Sequence, residues 1–324
     1  MTIHHKRIVS LTFLTALALA FSPGQQSAAA FQAQIKKPQQ VSLNVTVTDK
    51  FGEPITGLES ADFEISIDKK PAQIVSFNRE DSPVSIGIAF DSSGSVAGRS
   101  AKRTANYRLA LRQALQQFLE LGNRSNQYFL ITFNRNLELL MDWTSNPATI
   151  LDGFDKLRFY GETALYDGCY LAINKLQSGS HAKRALIVIS DGQDNRSLYK
   201  FRQLQDLLRE TDVSLYAMDF PTHDDYGGSI GHEGHIVLDE LSALSGGRAY
   251  LRVVEPSDRQ KMLSSAFETI ARELRSQYAI SIISPDSSAS KKWRKVKVKV
   301  KRRGGVTEEM KDLFARTREG FYAQ

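Results

Sequence analysis

From Val84 to Leu274 the chain alternates strand-length apolar runs with amphipathic helical patterns, and this alternation leaves few folds open. The apolar runs cover residues 85–90, 127–133, 137–143, 185–190, 213–220 and 248–253. Apolar residues recur at helical spacing over 107–121, 148–157, 164–176, 198–210, 237–245 and 257–274. A continuously apolar strand has no polar face to offer water. Such strands belong in a mostly parallel sheet with helices on both faces, a doubly wound α/β fold. Run 137–143 is short and is the candidate edge strand. In folds of this kind, ligands bind in the crevice beyond the carboxyl ends of the strands.

On either side the period changes to two. Val41, Leu43, Val45 and Val47 alternate with polar residues, as do Phe63, Ile65 and Ile67; Ile74, Val75 and Phe77 suggest one more strand. After Leu274 the same alternation returns at Tyr278, Ile280 and Ile282 and at Val296, Val298 and Val300, and residues 318–322 add a candidate edge strand. Each flank is too small to bury a core alone. The expectation is one small antiparallel β-sandwich made of an N-terminal unit (41–83) and a C-terminal unit (276–324), with the α/β segment (84–275) inserted between them.

The first residues read as a targeting segment. His4, His5, Lys6 and Arg7 form a basic start, residues 8–21 are apolar, and Ser27, Ala28, Ala29 and Ala30 are small. This is the pattern of a secretory signal (1–30) cut near Ala30, followed by a polar linker (31–40). A retained anchor is the rival reading, but the apolar run falls short of the roughly 20 residues that span a bilayer. The expected location is secreted, periplasmic or cell envelope. The single cysteine, Cys169, allows no intrachain disulfide; within a helical pattern it reads as a small buried hydrophobe.

Three distant turns are rich in hard oxygen donors. Asp91, Ser92, Ser93, Gly94 and Ser95 follow the first apolar run. Gly161, Glu162 and Thr163 precede a helical pattern, and Ser190, Asp191 and Gly192 close the run 185–190. A carboxylate leaving a strand end and alternate hydroxyls on the next turn can aim at one point, while Gly94 permits the bend. Thr163 adds a hydroxyl and Asp191 a second carboxylate, directly or through water. Few charges with several neutral oxygens suit Mg²⁺, with Mn²⁺ as second fit; no His or Cys is present to favour zinc. Taken singly, each turn has an ordinary reading as a helix cap or a plain turn.

At these residues the chain resembles a von Willebrand factor type A domain over about residues 84–274. Asp91, Ser93, Ser95, Thr163 and Asp191 match, in order, that family's metal-ion-dependent adhesion site. The wider layout also resembles the type A-related proteins of acidobacteria. The resemblance implies a divalent cation held by these five residues, with one position left for an aspartate or glutamate of a protein partner. It also implies a final helix, here 257–274, that slides in some members.

Other features are weighed beside it. Glu162, His223 and Asp224 are candidates for the rim of the site, and Arg99, Lys102 and Arg103 follow its first turn. Asp194 reads as a cap of the following helix. Residues 221–235 read as a surface loop on the ligand side; His232 and His235 lack zinc-protease spacing, and the glycines argue against a helix. Lys291, Lys292, Arg294, Lys295, Lys297, Lys299, Lys301, Arg302 and Arg303 supply much of the net charge of +6. Their lysines read first as the wet face of a strand, guarding against edge-to-edge pairing. The functional alternative is attraction to an anionic envelope surface; nucleic acid is not expected. The function implied is a metal-dependent adhesion-type binding module with no catalytic residues. A metal-dependent hydrolase and a structural envelope protein with a non-functional site are the alternatives.

Overall fold

The computed structural model describes residues 39–79, 81–97, 101–219, 229–250, 259–284, 292–301 and 313–323. Residues 1–38, which hold the segment read as a secretory signal and most of the expected linker, lie outside the described residues, as do His223, Asp224 and Arg99. Among the described residues no helix is long and apolar enough to cross a membrane.

The chain opens with strands β1 (Gln40–Thr48), β2 (Phe63–Ile67), β3 (Lys70–Pro71) and β4 (Gln73–Asn78). The α/β segment follows. Its strands are β5 (Val84–Asp91), β6 (Gln127–Phe133), β7 (Leu137–Thr144), β8 (Lys183–Ser190), β9 (Val213–Asp219) and β10 (Arg248–Tyr250). Its helices are α1 (Gly94–Ala97), α2 (Ala101–Leu121), α3 (Pro147–Phe154), α4 (Leu165–Leu176), α5 (Phe201–Glu210), α6 (Ser229–Ser245) and α7 (Arg259–Ser276). The chain returns to strands with β11 (Tyr278–Ile283), β12 (Trp293–Val300), β13 (Phe314–Arg316) and β14 (Gly320–Tyr322).

The six-stranded sheet has the order β10-β9-β8-β5-β6-β7. Every pairing is parallel except the antiparallel edge, β7 on β6. Alternation along the buried strands decides which helices cover which face. Val84, Ile86, Ile88 and Phe90 pack with Leu111, Leu115 and Phe118 of α2, Ile150 and Phe154 of α3, and Phe267, Ile270 and Leu274 of α7. Ala89, Leu186, Val188, Leu215 and Ala217 turn to the other face, against Cys169 and Ile173 of α4, Leu204 of α5 and Leu241 of α6. Each fully buried large apolar side chain contributes about 1.5–3 kcal/mol, so both layers are strongly held. Burial in α4 pushes the Cys169 thiol well above its ordinary value, as expected of an inert packing cysteine.

Successive connections from β5 run to β6 on one side, while β8, β9 and β10 extend on the other. The strand order therefore reverses between β5 and β8, and a crevice forms beyond their carboxyl ends. Asp91 and Asp191 stand at those two ends.

The flanking strands form two antiparallel sheets, ordered β13-β1-β11-β4 and β14-β12-β2-β3. N-terminal and C-terminal strands pair directly: Val41 faces Ile282 and Val45 faces Tyr278, while Val296 faces Ile67 and Val300 faces Phe63. Both sheets contribute to one apolar cluster around Leu43, Val45, Ile65, Ile67, Tyr278, Ile280 and Val296, which makes them a sandwich. At the junction with the α/β segment, the fully buried carboxylate of Glu273 on α7 pairs with Arg316 of β13 and, at 3.4 Å, with Arg248 of β10.

Several helix starts differ from the periodicity, each for a local reason. Helix α5 begins at Phe201 rather than near 198, because the amides of Leu198 and Tyr199 donate to the Asp167 carboxylate at 3.0 and 2.8 Å. Helix α3 begins at Pro147, with Asn146 Oδ1 accepting from Ala148 N at 3.0 Å. The largest difference is α6. It begins at Ser229 rather than 237 and runs through the segment expected to be a loop. Gly234 is not a breaker there. It lies against Gly192 so closely that a Cβ at either residue would collide with the other turn's backbone. Strand β12 has the wet face read from its lysines: Lys295, Lys297 and Lys299 are exposed, while Val296 is buried and Val298 and Val300 are half-buried. It pairs with β14 over Trp293–Lys295 and with β2 over Val296–Val300.

Candidate metal centre

Asp91 is the last residue of β5 and is buried, as are Ser92 and Ser93. Its Oδ1 accepts from the Ser93 amide at 2.9 Å, and the Ser93 hydroxyl bonds to the same carboxylate. Ser92 turns the other way. Its amide and hydroxyl donate to Phe133 O at 2.8 and 3.2 Å, and its oxygen accepts from Asn134 Nδ2 at 3.1 Å. The two serines thus have different tasks: Ser93 lies on the carboxylate, and Ser92 anchors the turn to the end of β6. Ser95 sits in α1, one residue past Gly94; its side chain is outside the described residues.

The loop carrying Thr163 is bonded to this turn. Tyr160 N donates to Ser92 O at 2.8 Å, and Gly94 N donates to Gly161 O at 2.9 Å. Gly161 has φ +79°, a left-handed conformation that favours glycine. Thr163 is buried, and its amide donates to Asn195 Oδ1 at 2.9 Å. The amides of Asn195 and Arg196 return to Thr163 O, each at 3.1 Å. Ala164 N donates to Asn134 O at 2.9 Å, so Asn134 ties the first two loops together.

The third turn closes the cup. Ser190 Oγ donates to Asp91 Oδ2 at 2.7 Å and accepts from Gly192 N at 3.1 Å. Asp191 is buried, and its Oδ1 accepts from Gln193 N at 3.1 Å. Burial, and then the charge of Asp191, push the Asp91 carboxyl up to about 7 against the pull of the Ser93 and Ser190 hydrogen bonds. Two buried carboxylates that oppose each other's ionisation, hydrogen-bonded by neutral hydroxyl and amide groups, are a donor set suited to a hard divalent cation. Among the described residues no group of three or more His, Cys, Asp or Glu is placed to hold a metal. The oxygen donors here are two carboxylates with hydroxyls, which fit Mg²⁺ or Mn²⁺ rather than a soft metal.

Of the rim candidates, Glu162 is 57% exposed and forms an ion pair of 3.6 Å with Arg196. His223 and Asp224 lie outside the described residues. Asp194 does cap a helix, but the preceding one in sequence: its Oδ1 accepts from Tyr166 N of α4 at 3.3 Å and from Ser197 Oγ at 2.5 Å. Sequence reasoning left Ser190, Asn134 and Asn195 without a role. Asn134 had one signal available, a polar residue just past an apolar strand, as Asp91 terminates its own. Asn195 had none, since its partner is 32 residues away.

Residues 87–193 match the family model of the von Willebrand factor type A domain. That match supports a protein of the type A kind. No curated protein matches the chain. Solved structures similar to it include the PilB minor pilin from Streptococcus sanguinis, at 16% identity over 61% of this chain and 63% of that one, with TM-score 0.45. They also include a von Willebrand factor type A protein from Catenulispora acidiphila, at 11% identity over 89% and 75%, with TM-score 0.46. A third is the vWF domain of the type V pili tip protein Mfa5 from Porphyromonas gingivalis, at 18% identity over 36% and 40%, with TM-score 0.32. The chain spans less than two thirds of the length of the pilin it matches.

Proposed function

We propose that this protein is an exported, metal-dependent binding module that captures a carboxylate of a protein partner. The observation that carries the reading is the joining of three loops, from β5, α4 and β8, around the buried pair Asp91 and Asp191. Asp91, Ser93, Ser95, Thr163 and Asp191 would hold Mg²⁺ or Mn²⁺. A cation held mainly by uncharged hydroxyls keeps enough positive charge to attract an anionic oxygen. The chain's own part is to hold those oxygens in place. Asn195 fixes the Thr163 backbone, Ser190 fixes the Asp91 carboxylate, and Gly161 brings the Thr163 loop onto Gly94. The match of residues 87–193 to the type A model supports the same reading.

The module is read as a binder and not as an enzyme. The acid next to the cup, Glu162, is exposed and paired with Arg196, a poor setting for a base that must activate water. Export follows from the basic, apolar and small-residue pattern at the start of the chain.

Pull-down from the native envelope with the full chain tests the proposal. Capture in Mg²⁺, its loss in chelator and its loss in Asp91→Ala are the expected results. A partner retained equally in chelator overturns it.

A further inference from the structure

We propose that the cleft between β1 and the end of α5 is a docking site for the C-terminal segment of a partner protein, held extended along β1 with its carboxylate on Arg318. This site is separate from the metal centre and goes beyond the reading above.

The first observation is an uncovered strand edge. On one side β11 pairs with β1 from Gln40 to Val45, but on the other side β13 pairs only with Thr46, Val47 and Thr48. Among the described residues, the β13 side of β1 therefore has no strand beside it over residues 40–45. Gln39 O accepts from Ser284 N at 3.0 Å on the β11 side, so alternation turns the backbone N–H and C=O of Gln40 and Ser42 to the open edge. Both residues are exposed. An open edge of this kind is a template for one more extended segment.

The second observation is a cation without a counter-ion. A cleft of about 1110 Å³ runs along the open edge, lined by Gln40, Val41 and Ser42 of β1, by Leu207 and Thr211 at the end of α5, and by Arg318. That is room for a short peptide. Arg318 Nη1 donates to Thr211 O at 3.2 Å, and the guanidinium lies over Phe321 at 5.8 Å. Its Nε is buried without a hydrogen-bond partner among the described residues. Desolvation holds the guanidinium below its usual pKa, against the opposing charge of Asp212. With Nη1 taken, the Nε–Nη2 side of the fork is the side that one carboxylate fits.

Together the two observations select the end of a peptide. Asn44 Nδ2 donates to Asp212 O at 3.4 Å, one residue from the carbonyl that Arg318 holds, so Arg318 stands beside Asn44. A peptide running parallel to β1 past Gln40 and Ser42 reaches that point with its last residue. Two acids also border the cleft: Glu210 is exposed, and Asp212 is paired with Arg184 at 3.1 Å. They repel a phosphate dianion or a polyanion more than a single carboxylate. The backbone edge separates a peptide from a simple organic acid, which brings no amides to pair with it.

The test uses the full chain in chelator and a degenerate pool of fluorescent hexapeptides, made once with free carboxyl ends and once amidated. The carboxylate pool should bind saturably and about tenfold or more tighter than the amidated pool. Arg318→Gln should bring the two pools level. Ser42→Pro removes an N–H of the open edge without breaking a bond to β11, and should weaken the carboxylate pool about fivefold or more. Circular dichroism should show both variants folded. Acetate and inorganic phosphate, as competing arms, should displace the pool only weakly. Asp91→Ala should bind it as the parent does, so failure here is distinguishable from failure at the metal centre. No binding, equal binding of the two pools by the parent, undiminished binding by Ser42→Pro, or displacement by acetate or phosphate at peptide concentrations would each overturn the proposal.

Discussion

The hydroxyl of Ser190 donates to Asp91 Oδ2 at 2.7 Å and joins two strand ends that lie 99 residues apart. That bond holds one oxygen of Asp91 while Ser93 N holds the other, so the protein alone orients the carboxylate of the proposed cation ligand. Preorganisation of this kind lowers the ordering cost of binding.

Replacing the carboxylate by its neutral amide tests this directly. Asp91→Asn should leave the chain folded and at least as stable without metal, because it removes one of two buried, mutually repelling charges. The parent should gain about 2.7 kcal/mol of stability at Mg²⁺ a hundredfold above its Kd, and the variant none. Thermal unfolding with and without Mg²⁺ reads both effects.

Proton competition should follow from the same burial. Asp91 titrates at about 7 in the folded chain against 3.8 ordinarily, so without metal the folded state binds the extra proton between those values. In chelator, the stability from this group is full below the lower value and is lost as pH rises through about 7. Mg²⁺ must displace that proton, so its affinity should fall about tenfold per pH unit below 7. Calorimetric titrations at pH 6, 7 and 8 measure it; a flat affinity would contradict the burial argument.

Asn195→Ala removes the acceptor of the Thr163 amide without touching a proposed ligand. One lost, partly buried hydrogen bond costs about 1 kcal/mol, so Mg²⁺ affinity should weaken about fivefold while the secondary structure is unchanged. An affinity equal to the parent's would show that the Thr163 loop is held by its other bonds alone.

Gly234→Ala should destabilise the chain by about 1–3 kcal/mol, since the added methyl meets the Asp191 carbonyl of the neighbouring turn. An alanine is ordinarily the better helix former by about 1 kcal/mol, so the sign of the change separates packing from propensity. Urea unfolding reads it.

Lys183 gives a second pH signature far from the centre. Its ammonium is buried at the start of β8, donates to Leu274 O at 2.9 Å, and is brought down to about 8 by desolvation. Between that value and the ordinary 10.5 the unfolded chain holds more protons, so stability should rise with pH across this window by up to about 3 kcal/mol. Lys183→Met should flatten that part of the profile.

Much of the architecture was legible because its signals are local. Continuous apolar strands separated by amphipathic helices require a covered parallel sheet, and period-two strands at both ends require a partner for their single apolar face. The positions of Asp91 and Asp191 at strand ends were readable for the same reason. The start of α6 was not, because Gly234 looks the same in sequence whether it breaks a helix or lets one approach a turn. Nor was the divided pairing of β12, with β14 over Trp293–Lys295 and with β2 over Val296–Val300, since alternating lysines and valines name no partner.

By itself the amino-acid order determined which segments are strands, which are helices, and which turns carry oxygen donors, since each depends on residues within a few positions of one another. Only the tertiary structure decided that Ser190 clamps Asp91, that Asn195 and Asn134 fasten the Thr163 loop, and that β12 divides its pairing between β14 and β2. Those relations depend on the order in which strands assemble. Strand order is set by burial summed over the whole sheet, a quantity that no single segment contains.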